Sequence, residues 1–580
     1  MIYESSGKIR EITPRKNQIG LIELTANFKP GVSREPNTGL TYLKIDDSRR
    51  ICHELLEKNL TALTRLEHLH ISNCPQVSLE KLYLNKSFAQ VLKKLKSLKL
   101  PRKISPCDFG KLVSKLKNLE ELDLNCTKLN DECLESLARG CPKLQRLSLG
   151  FQHWFSDKAM EKSVQKLKNL KSLDLSWCMD VTGDTIELVA DNLPDLESLH
   201  FEHIQHLGHS TVTYVAKNLK KLKNLSFSGI HSQGMTCPCG CGYREDKEED
   251  SNELDILIKE LCKLKNLESL KFEVSGDEIS ESEILRLVRN LPKLKELKIN
   301  AISKITAKHA NQIANFLPNL RSLDLGMKRK SQGAISLISK LKNLTSLSLC
   351  DCRINDKDLQ VMSSGLNNLK SLTLQHNPGT TDSGMQYIAN FKSLTTLFLS
   401  GKVGDAGVAV LAKGLPQLQN LSFLGCRQIG DAGAIMIGKH LKGLQCLSAQ
   451  KTKIGDEGFS FMCLNLPKLK SLDVSYCPIT NQGIIDGAVG LGNLNSLEIG
   501  SQKISNDGFQ KSAKCLKGLT YLRIVNCHLI NKEGVISMLE DLPSLMSLIF
   551  SGCGYMCMQE RLVQPLCDAA GVDLTVIDVE

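Results

Sequence analysis

Residues 418–433 read LQNLSFLGCRQIGDAG, and this stretch decides the fold class of the chain. It contains the pattern L-x-x-L-x-F-x-x-C, formed by Leu418, Leu421, Phe423 and Cys426, which we call the frame of the repeat. The signature I-x-D-x-G follows this frame. From Leu119 to Leu545 the first leucine of the frame returns every 24 to 27 residues, with one interval of 45. A short fixed period of this kind predicts a stacked solenoid. The frame also fits at four upstream positions, giving 21 candidate units, with first residues at Ile19, Leu40, Leu66 and Leu95.

Each unit predicts one short strand and one helix. The L-x-L alternation turns both apolar side chains to one face of a strand. The Asp of Asp405-Ala406-Gly407 and of Asp431-Ala432-Gly433 is expected to start the helix, where a carboxylate caps free N–H groups and complements the helix dipole. Because no unit can bury its apolar side alone, the units must stack.

The cysteine-bearing copies resemble a known repeat family. The matching residues are Ser176-Trp177-Cys178, Gly425-Cys426, Tyr476-Cys477-Pro478-Ile479-Thr480 and Asn526-Cys527. The pattern is similar to the leucine-rich repeat superfamily, and within it to the cysteine-containing subclass of F-box leucine-rich repeat proteins. The resemblance covers residues 19–555 and implies an α/β solenoid that is curved, with a parallel sheet on the concave face and helices on the convex face. No F-box pattern is found before Ile19, so the resemblance is limited to the repeats.

The repeat frame also predicts the domain organisation. We expect an N-terminal cap at residues 1–18, a solenoid at 19–555 and a C-terminal cap at 556–580. The long interval after Leu222 predicts a cysteine-rich and acidic insertion at residues 231–253, at the strand-to-helix edge.

Composition favours a cytoplasmic protein, either resident in its cell or delivered into a host cell. Residues 1–10 are polar and lack the apolar core of a signal peptide, and no apolar run reaches the length of a membrane span. The 22 cysteines are therefore expected to be free thiols. Seven of them occupy the cysteine slot of the repeat, namely Cys74, Cys178, Cys352, Cys426, Cys477, Cys527 and Cys553.

The net charge of +11 arises largely from lysines between helix and strand, as in residues 115–119 and 263–267. Such lysines are expected to form a solvated rim at helix C-termini. This interpretation disfavours nucleic acid as the partner, and we expect a monomer that binds protein.

Cys237, Cys239 and Cys241 in the insertion, with His231 nearby, leave three interpretations open. Thiolates and imidazole are ligands of zinc, and thiolates also suit copper(I). However, C-x-C-x-C lacks the usual C-x-x-C spacing of zinc sites. The segment is therefore predicted to bind metal, to sense redox state, or to be a flexible loop that is either plain or contacts a partner; no other cofactor is expected.

The candidate binding residues lie at the exits of three successive strands. Phe151, Trp177 and His203 share one offset, and adjacent strands lie about 4.8 Å apart, so these side chains should form one stripe. Aromatic side chains ringed by charge are frequent interface hot spots. The alternative is that Trp177 only packs against its neighbours. The flanking candidates are Trp154 in the following loop and the outward-facing residues Asp123, Asp174, His200 and Glu202.

We find no pattern typical of an enzyme, such as G-x-S-x-G, H-E-x-x-H or a glycine-rich phosphate loop. His200, His203, His206 and His209 form a local cluster that is either a metal site or part of the exposed loop and stripe. The sequence thus predicts a non-enzymatic scaffold that binds a protein on its concave face, as a ubiquitin-ligase substrate receptor or as a bacterial effector acting on host proteins. The alternative is a metal- or redox-responsive regulator acting through residues 237–241.

Overall fold

Each repeat folds as a short strand followed by a helix, and neighbouring strands pair in parallel. The computed structural model describes residues 2–3, 9–10, 21–24, 40–46, 60, 63, 65–72, 86–100, 106–152, 154–204, 207–231, 253–275, 279–300, 306–325 and 333–577. Its contacts divide the chain into two compact units, residues 1–301 and 302–580.

The strands of the first unit are β1 (Ile2–Tyr3), β2 (Ile9–Arg10), β3 (Leu21–Leu24), β4 (Tyr42–Asp46), β5 (His68–Ser72), β6 (Ser97–Lys99), β7 (Glu121–Asp123), β8 (Arg146–Ser148), β9 (Ser172–Asp174), β10 (Ser198–Phe201), β11 (Asn224–His231), β12 (Ser269–Ser275) and β13 (Glu296–Ile299). The helices are α1 (Lys86–Leu92), α2 (Pro106–Val113), α3 (Asp131–Gly140), α4 (Asp157–Val164), α5 (Gly183–Asn192), α6 (His209–Asn218), α7 (Glu253–Leu261) and α8 (Glu281–Asn290). Strands β1 and β2 pair antiparallel, whereas β3 to β13 form one parallel ladder in chain order.

The strands of the second unit are β14 (Ser322–Asp324), β15 (Ser346–Ser348), β16 (Ser371–Leu374), β17 (Thr396–Leu399), β18 (Asn420–Phe423), β19 (Cys446–Ser448), β20 (Ser471–Ser475), β21 (Ser496–Gly500), β22 (Tyr521–Val525), β23 (Ser547–Ser551) and β24 (Asp573–Ile577). The helices are α9 (Ala307–Phe316), α10 (Ala334–Ile338), α11 (Asp356–Gly365), α12 (Asp382–Ile388), α13 (Asp405–Gly414), α14 (Asp431–His440), α15 (Asp456–Asn465), α16 (Asn481–Ala488), α17 (Asn506–Ser512), α18 (Lys532–Asp541) and α19 (Gly554–Ala570). Strands β14 to β24 form a parallel ladder in chain order.

The repeated leucines align between strands and make the core. Leu147, Leu173 and Leu199 lie side by side in register and are buried. Burying one such side chain stabilises the fold by roughly 1.5–3 kcal/mol. Two residues further along β10, the ring of Phe201 stacks on that of Phe227 in β11, with their centroids 5.7 Å apart. The α/β leucine-rich solenoid predicted from the sequence is therefore the fold of each unit.

The incomplete repeat predicted at Ile19 adds a strand of its own. Strand β3 pairs with β4 so that Ile22 faces Leu43 and Leu24 faces Ile45. This is the register that the complete repeats use.

The Asp of the I-x-D-x-G signature joins one repeat to the next. Helices begin at Asp405 and Asp431 as predicted, but the N-cap of the second helix is Gly430, which has no capping side chain. Asp405 Oδ1 instead accepts the N–H groups of Gly430 at 2.7 Å and Gly433 at 2.9 Å in the following repeat. The expectation that this Asp caps its own helix needs correcting, because its carboxylate serves the free first-turn donors of the neighbouring helix.

The cysteine of the repeat donates a buried S–H hydrogen bond to a backbone carbonyl of the preceding repeat. Cys178 Sγ donates to the carbonyl of Leu149 at 3.1 Å, and Cys477 Sγ to that of Ala449 at 3.2 Å. Gln152, which replaces cysteine, donates from Nε2 to the carbonyl of Leu124 at 2.7 Å. Burial raises the pKa of Cys178 to about 12, so the thiol stays protonated. The slot cysteines in the described residues are free, and Cys74 lies outside them.

Candidate partner-binding surface

Three side chains form a continuous stack at the exits of β8, β9 and β10. The centroids of the Phe151 and Trp177 rings lie 5.7 Å apart with an interplanar angle of 5°. Those of Trp177 and His203 lie 3.9 Å apart at 29°. Phe151 is 52% exposed, His203 is exposed and Trp177 is half-buried between them. We call these three residues the aromatic stripe, and its existence follows the equal offsets seen in the sequence.

The backbone beneath the aromatic stripe is left-handed at each residue. The φ angles are +60° at Phe151, +62° at Trp177 and +54° at His203. Holding a non-glycine residue there costs roughly 1–2 kcal/mol. The equivalent position is left-handed in other repeats too, at Gly229 and Asn526, which tolerate this region well, and at Cys126, Asp351, His376, Lys451 and Tyr476. The conformation therefore belongs to the turn of the repeat, and what is particular to the aromatic stripe is its stacked and accessible rings.

The same backbone ties each stripe residue to the next strand. The N–H of Trp177 donates to the carbonyl of Glu202 at 2.8 Å, and that of His203 donates to the carbonyl of Ser228 at 3.1 Å. Each ring is therefore set directly beside its neighbour by a hydrogen bond between repeats.

Trp154 is not part of the stack. It lies in the loop between β8 and α4 and is 59% exposed, with Lys128 Nζ 6.0 Å from its ring centroid. Of the sequence-predicted aromatic candidates, the structure therefore brings together the three stripe residues and leaves Trp154 apart from their ring contacts.

The three predicted carboxylates differ in their partners. Asp123 forms an ion pair with Lys99 at 2.7 Å. Asp174 accepts the hydroxyl of Ser148 at 3.1 Å, and Glu202 accepts the hydroxyl of Ser226. Among the residues that the structure describes, Asp174 and Glu202 take part in no ion pair. Their negative charges are therefore left uncompensated beside the aromatic stripe.

His200 lies on the sheet face in β10, in register with Asp174 of β9 and two residues before Glu202. Its Nε2 is 2.9 Å from the hydroxyl oxygen of Ser198. Burial lowers the pKa of His200, while Asp174 and Glu202 act in the opposite direction. The imidazole is therefore held mainly neutral, and it does not supply a cation to the adjacent carboxylates.

The histidine cluster predicted as a metal-site alternative is divided by the fold. His200 lies on the sheet face, whereas His209 is buried at the start of α6 with Nδ1 3.2 Å from Glu253 Oε2. His206 lies outside the described residues. Within the described ranges, no group of three or more His, Cys, Asp or Glu side chains is placed to hold a metal ion. Cys237, Cys239 and Cys241 also lie outside the described residues, so their metal binding stays a prediction.

Sequence reasoning missed a polar network on the same sheet face of the first unit. The hydroxyl oxygen of Tyr42 is 3.0 Å from His70 Nδ1, and His70 Nε2 is 2.9 Å from the Ser97 hydroxyl. Further along, Arg146 Nη2 donates to Glu121 Oε2 at 3.0 Å. The available signal was the polar residues that alternate with leucine in β4 to β8. This network orders the sheet face but contains no arrangement specific to a reaction.

Among the described residues of the second unit, no ring stack comparable to the aromatic stripe is found. Tyr476 has φ +60° and is 41% exposed, with Lys451 Nζ 5.2 Å from its ring centroid. Phe398 and Tyr521 lie within strands β17 and β22 instead. Tyr476 therefore provides an isolated counterpart of the stripe residues.

Comparisons with protein-family models find leucine-rich repeats in three parts of the chain. The model described as "Leucine-rich repeat region" matches residues 158–381. The model described as "FBD-associated F-box protein At5g56370, LRR repeats" matches residues 58–236. The model described as "Leucine Rich repeat" matches residues 465–486.

Similar curated proteins match over a limited part of their length. A Caenorhabditis elegans protein named "Putative RNA-binding protein EEED8.10" is 34% identical over 170 residues, which are 28% of this chain and 22% of that protein. The Rattus norvegicus NLR family CARD domain-containing protein 4 is 32% identical over 153 residues, 25% of this chain and 15% of that protein. The matched part is thus about a fifth or less of either relative.

Two solved structures are similar over most of the chain. The yeast Rad7 and Elc1 complex has a chain with 16% identity and a TM-score of 0.36, covering 78% of this chain and 85% of that one. The TLR13–ssRNA13 complex has a chain with 18% identity and a TM-score of 0.33, covering 94% of this chain and 82% of that one.

No helix in the described part of the chain has the length and hydropathy needed to cross a membrane.

Proposed function

We propose that this chain, which is a leucine-rich repeat protein, is a non-enzymatic scaffold that binds a protein partner on the sheet face at Phe151, Trp177 and His203. The observation that carries the proposal is the aromatic stripe, with its exposed rings on a left-handed backbone. Exposed aromatic side chains at the centre of an interface commonly supply most of its binding energy. Their backbone N–H groups are hydrogen-bonded to the next repeat, so less conformational entropy should be lost when a partner binds.

The stripe favours binding over a purely structural role. Two ring pairs stabilise the fold by about 0.5–1.5 kcal/mol each beyond the area that they bury. Other repeats hold the same left-handed turn with unrelated side chains such as Cys126, Asp351 and Lys451, so folding does not require an aromatic residue at this position. Phe151 nevertheless stays 52% exposed while it stacks on Trp177, which leaves apolar surface for a partner.

A finer proposal concerns the setting in which the scaffold works. We propose a cytoplasmic substrate receptor of a ubiquitin ligase, because the F-box-associated repeat model matches residues 58–236 and so includes the whole stripe. An effector that intercepts host proteins would use the same surface. Recovery of ubiquitin-ligase subunits with the purified chain would support the receptor, and their absence from every stripe-dependent complex would contradict it.

The test compares Trp177→Asn with a matched control, Tyr476→Asn. Asparagine tolerates the left-handed backbone, as Asn526 does, so the change removes the ring with little strain. The full-length chains are used as affinity baits in lysates of the source organism or of its host, and bound proteins are quantified by mass spectrometry. Loss of a hot-spot aromatic residue costs about 2 kcal/mol or more, so we expect a partner to be depleted roughly thirtyfold with Trp177→Asn.

The control tests whether the loss of binding is specific to the aromatic stripe. Tyr476 occupies the equivalent left-handed position but has no stacked neighbour, so Tyr476→Asn should retain the partner. Equal recovery of every bound protein by the wild type and Trp177→Asn would contradict binding at the stripe.

A further inference from the structure

We infer that the partner segment bound at the aromatic stripe carries a lysine or arginine side chain, and that Asp174 and Glu202 hold its cation. The inference rests on the proposed function and adds the chemical class of the partner. It is argued from the charges, the register and the exposure of the sheet face around the stripe.

The charges on this face are unevenly compensated. Cations of neighbouring strands already have acidic partners, with Arg146 bound to Glu121 at 3.0 Å and Lys271 to Glu296 at 3.0 Å. Asp123 is likewise neutralised by Lys99. In the described residues, only neutral hydroxyl or backbone N–H donors reach the carboxylates of Asp174 and Glu202. Within the described ranges, these two carboxylates next to the stripe therefore have no cationic partner.

The register sets both carboxylates beside the rings. Asp174 ends β9, three residues before Trp177, and lies opposite His200 of β10. Glu202 directly precedes His203, its carbonyl accepts the N–H of Trp177, and its own N–H donates to Ser176 Oγ at 3.2 Å. Asp174 and Glu202 therefore belong to adjacent repeats, whose strands lie about 4.8 Å apart, and each precedes the stripe residue of its own repeat.

A basic side chain matches this surface in shape and charge. Its aliphatic stem can lie along the exposed ring edges while its cation forms charge-assisted hydrogen bonds with the carboxylates. Asp174 and Glu202 are both half-buried, so a partner that excludes water strengthens their attraction for a cation. His200 does not compete, since burial lowers its pKa.

The same charges argue against nucleic acid at the stripe. Phosphate groups would be repelled by the two uncompensated carboxylates, although the rings alone would stack with bases.

The net charge of +11 disfavours indiscriminate binding of basic peptides to the chain as a whole. A basic peptide that binds must therefore use a local acidic surface.

The experiment selects peptides from a phage-displayed random 12-residue library on the full-length chain, with counter-selection on Trp177→Asn. Recovered peptides are synthesised with fluorescein, and their Kd values are measured by fluorescence anisotropy. We expect a lysine or arginine at one recurring position of the peptides. Glu202→Gln and Asp174→Asn should each raise Kd roughly tenfold, because they remove charge and preserve shape.

Matched measurements separate this inference from the proposed function. Glu498→Gln on the sheet face of the second unit should leave Kd unchanged, because Glu498 is bound to Arg523 there. Replacing the recurring basic residue of the peptide by methionine should raise Kd as much as Glu202→Gln does. If binding requires Trp177 but neither carboxylate nor a basic residue, the inference is overturned while the proposed function stands.

Three further outcomes would also overturn it. A selection that yields no Trp177-dependent peptide contradicts both the inference and the docking surface. Trp177-dependent binding of a fluorescein-labelled 12-nucleotide oligouridine identifies nucleic acid as the ligand. Trp177-dependent dimerisation in sedimentation velocity identifies a second copy of the chain as the occupant.

Discussion

At the scale of single residues, the left-handed position at the strand exit accepts several kinds of side chain. Gly229 and Asn526 satisfy the turn at low cost, whereas Trp177, like Asp351 and Lys451 in other repeats, satisfies it under strain. We therefore expect Trp177→Asn to change the free energy of unfolding by less than about 1 kcal/mol, because relief of strain offsets the lost stacking. Urea unfolding of the purified variant measures this. A loss of more than about 2 kcal/mol would make Trp177 a structural residue.

A second residue-scale prediction concerns the thiols of the cysteine slot. Burial raises the pKa of Cys178 and of Cys527 to about 12, so at pH 8 only about one thiol in ten thousand is the reactive thiolate. Cys126 and Cys515 are more accessible. We expect iodoacetamide to label Cys126 and Cys515 before Cys178 and Cys527, which should react only after unfolding, as measured by peptide mass spectrometry. Labelling of native Cys527 at the rate of Cys515 would contradict this account.

At the scale of the element, carboxylates in the first turn of one helix accept hydrogen bonds from the start of the next helix. The carboxylate of Asp405 accepts hydrogen bonds from two backbone N–H groups of the next repeat. Asp431, one repeat later, accepts two such hydrogen bonds from the repeat that follows it. Asn481 makes the equivalent contact with the N–H of Ser505 at 2.9 Å, so the acceptor oxygen matters more than the charge. The helix N-terminus of one repeat is thereby completed by the side chain of the repeat before it.

This contact predicts an ordered series at one position. Asp405→Ala leaves two first-turn N–H groups without their acceptor and should reduce the free energy of unfolding by about 1–3 kcal/mol. Asp405→Asn keeps the acceptor and should lose clearly less. Asp507→Ala is a suitable control, because Asp507 forms only an exposed ion pair with Lys511. Equal losses for Asp405→Ala and Asp405→Asn in urea unfolding would rule out the proposed acceptor role.

At the scale of the whole molecule, the sequence predicted the elements well because a periodic pattern repeats the same information. The leucine frame located the strands, and the D-x-G signature located helix starts such as Asp405 and Asp431. It did not predict that their carboxylates act between repeats, because spacing along the chain does not reveal which neighbour a side chain faces.

The candidate site was predictable to a similar extent. Equal offsets in the sequence placed Phe151, Trp177 and His203 together. The left-handed φ angles of these residues, and the lack of an ion-pair partner for two nearby carboxylates, could be seen only in the structure. Ion pairs such as that of Lys99 with Asp123 join residues from different repeats. Their charge balance therefore depends on register and rotamer, and the sequence pattern specifies neither.

The last prediction concerns the stability of the molecule as the pH falls. Burial lowers the pKa of His70 and of His200 below the ordinary value of 6.5. Between the lowered folded values and 6.5, the unfolded chain binds more protons than the folded chain, so the free energy of unfolding rises with pH. It should therefore decline as the pH falls through 6.5, and added positive charge on a chain of net charge +11 acts in the same direction. Urea midpoints measured from pH 8 to 5.5 should fall, and His70→Gln should reduce the slope of this fall. An unchanged slope in His70→Gln would assign the pH dependence to other groups.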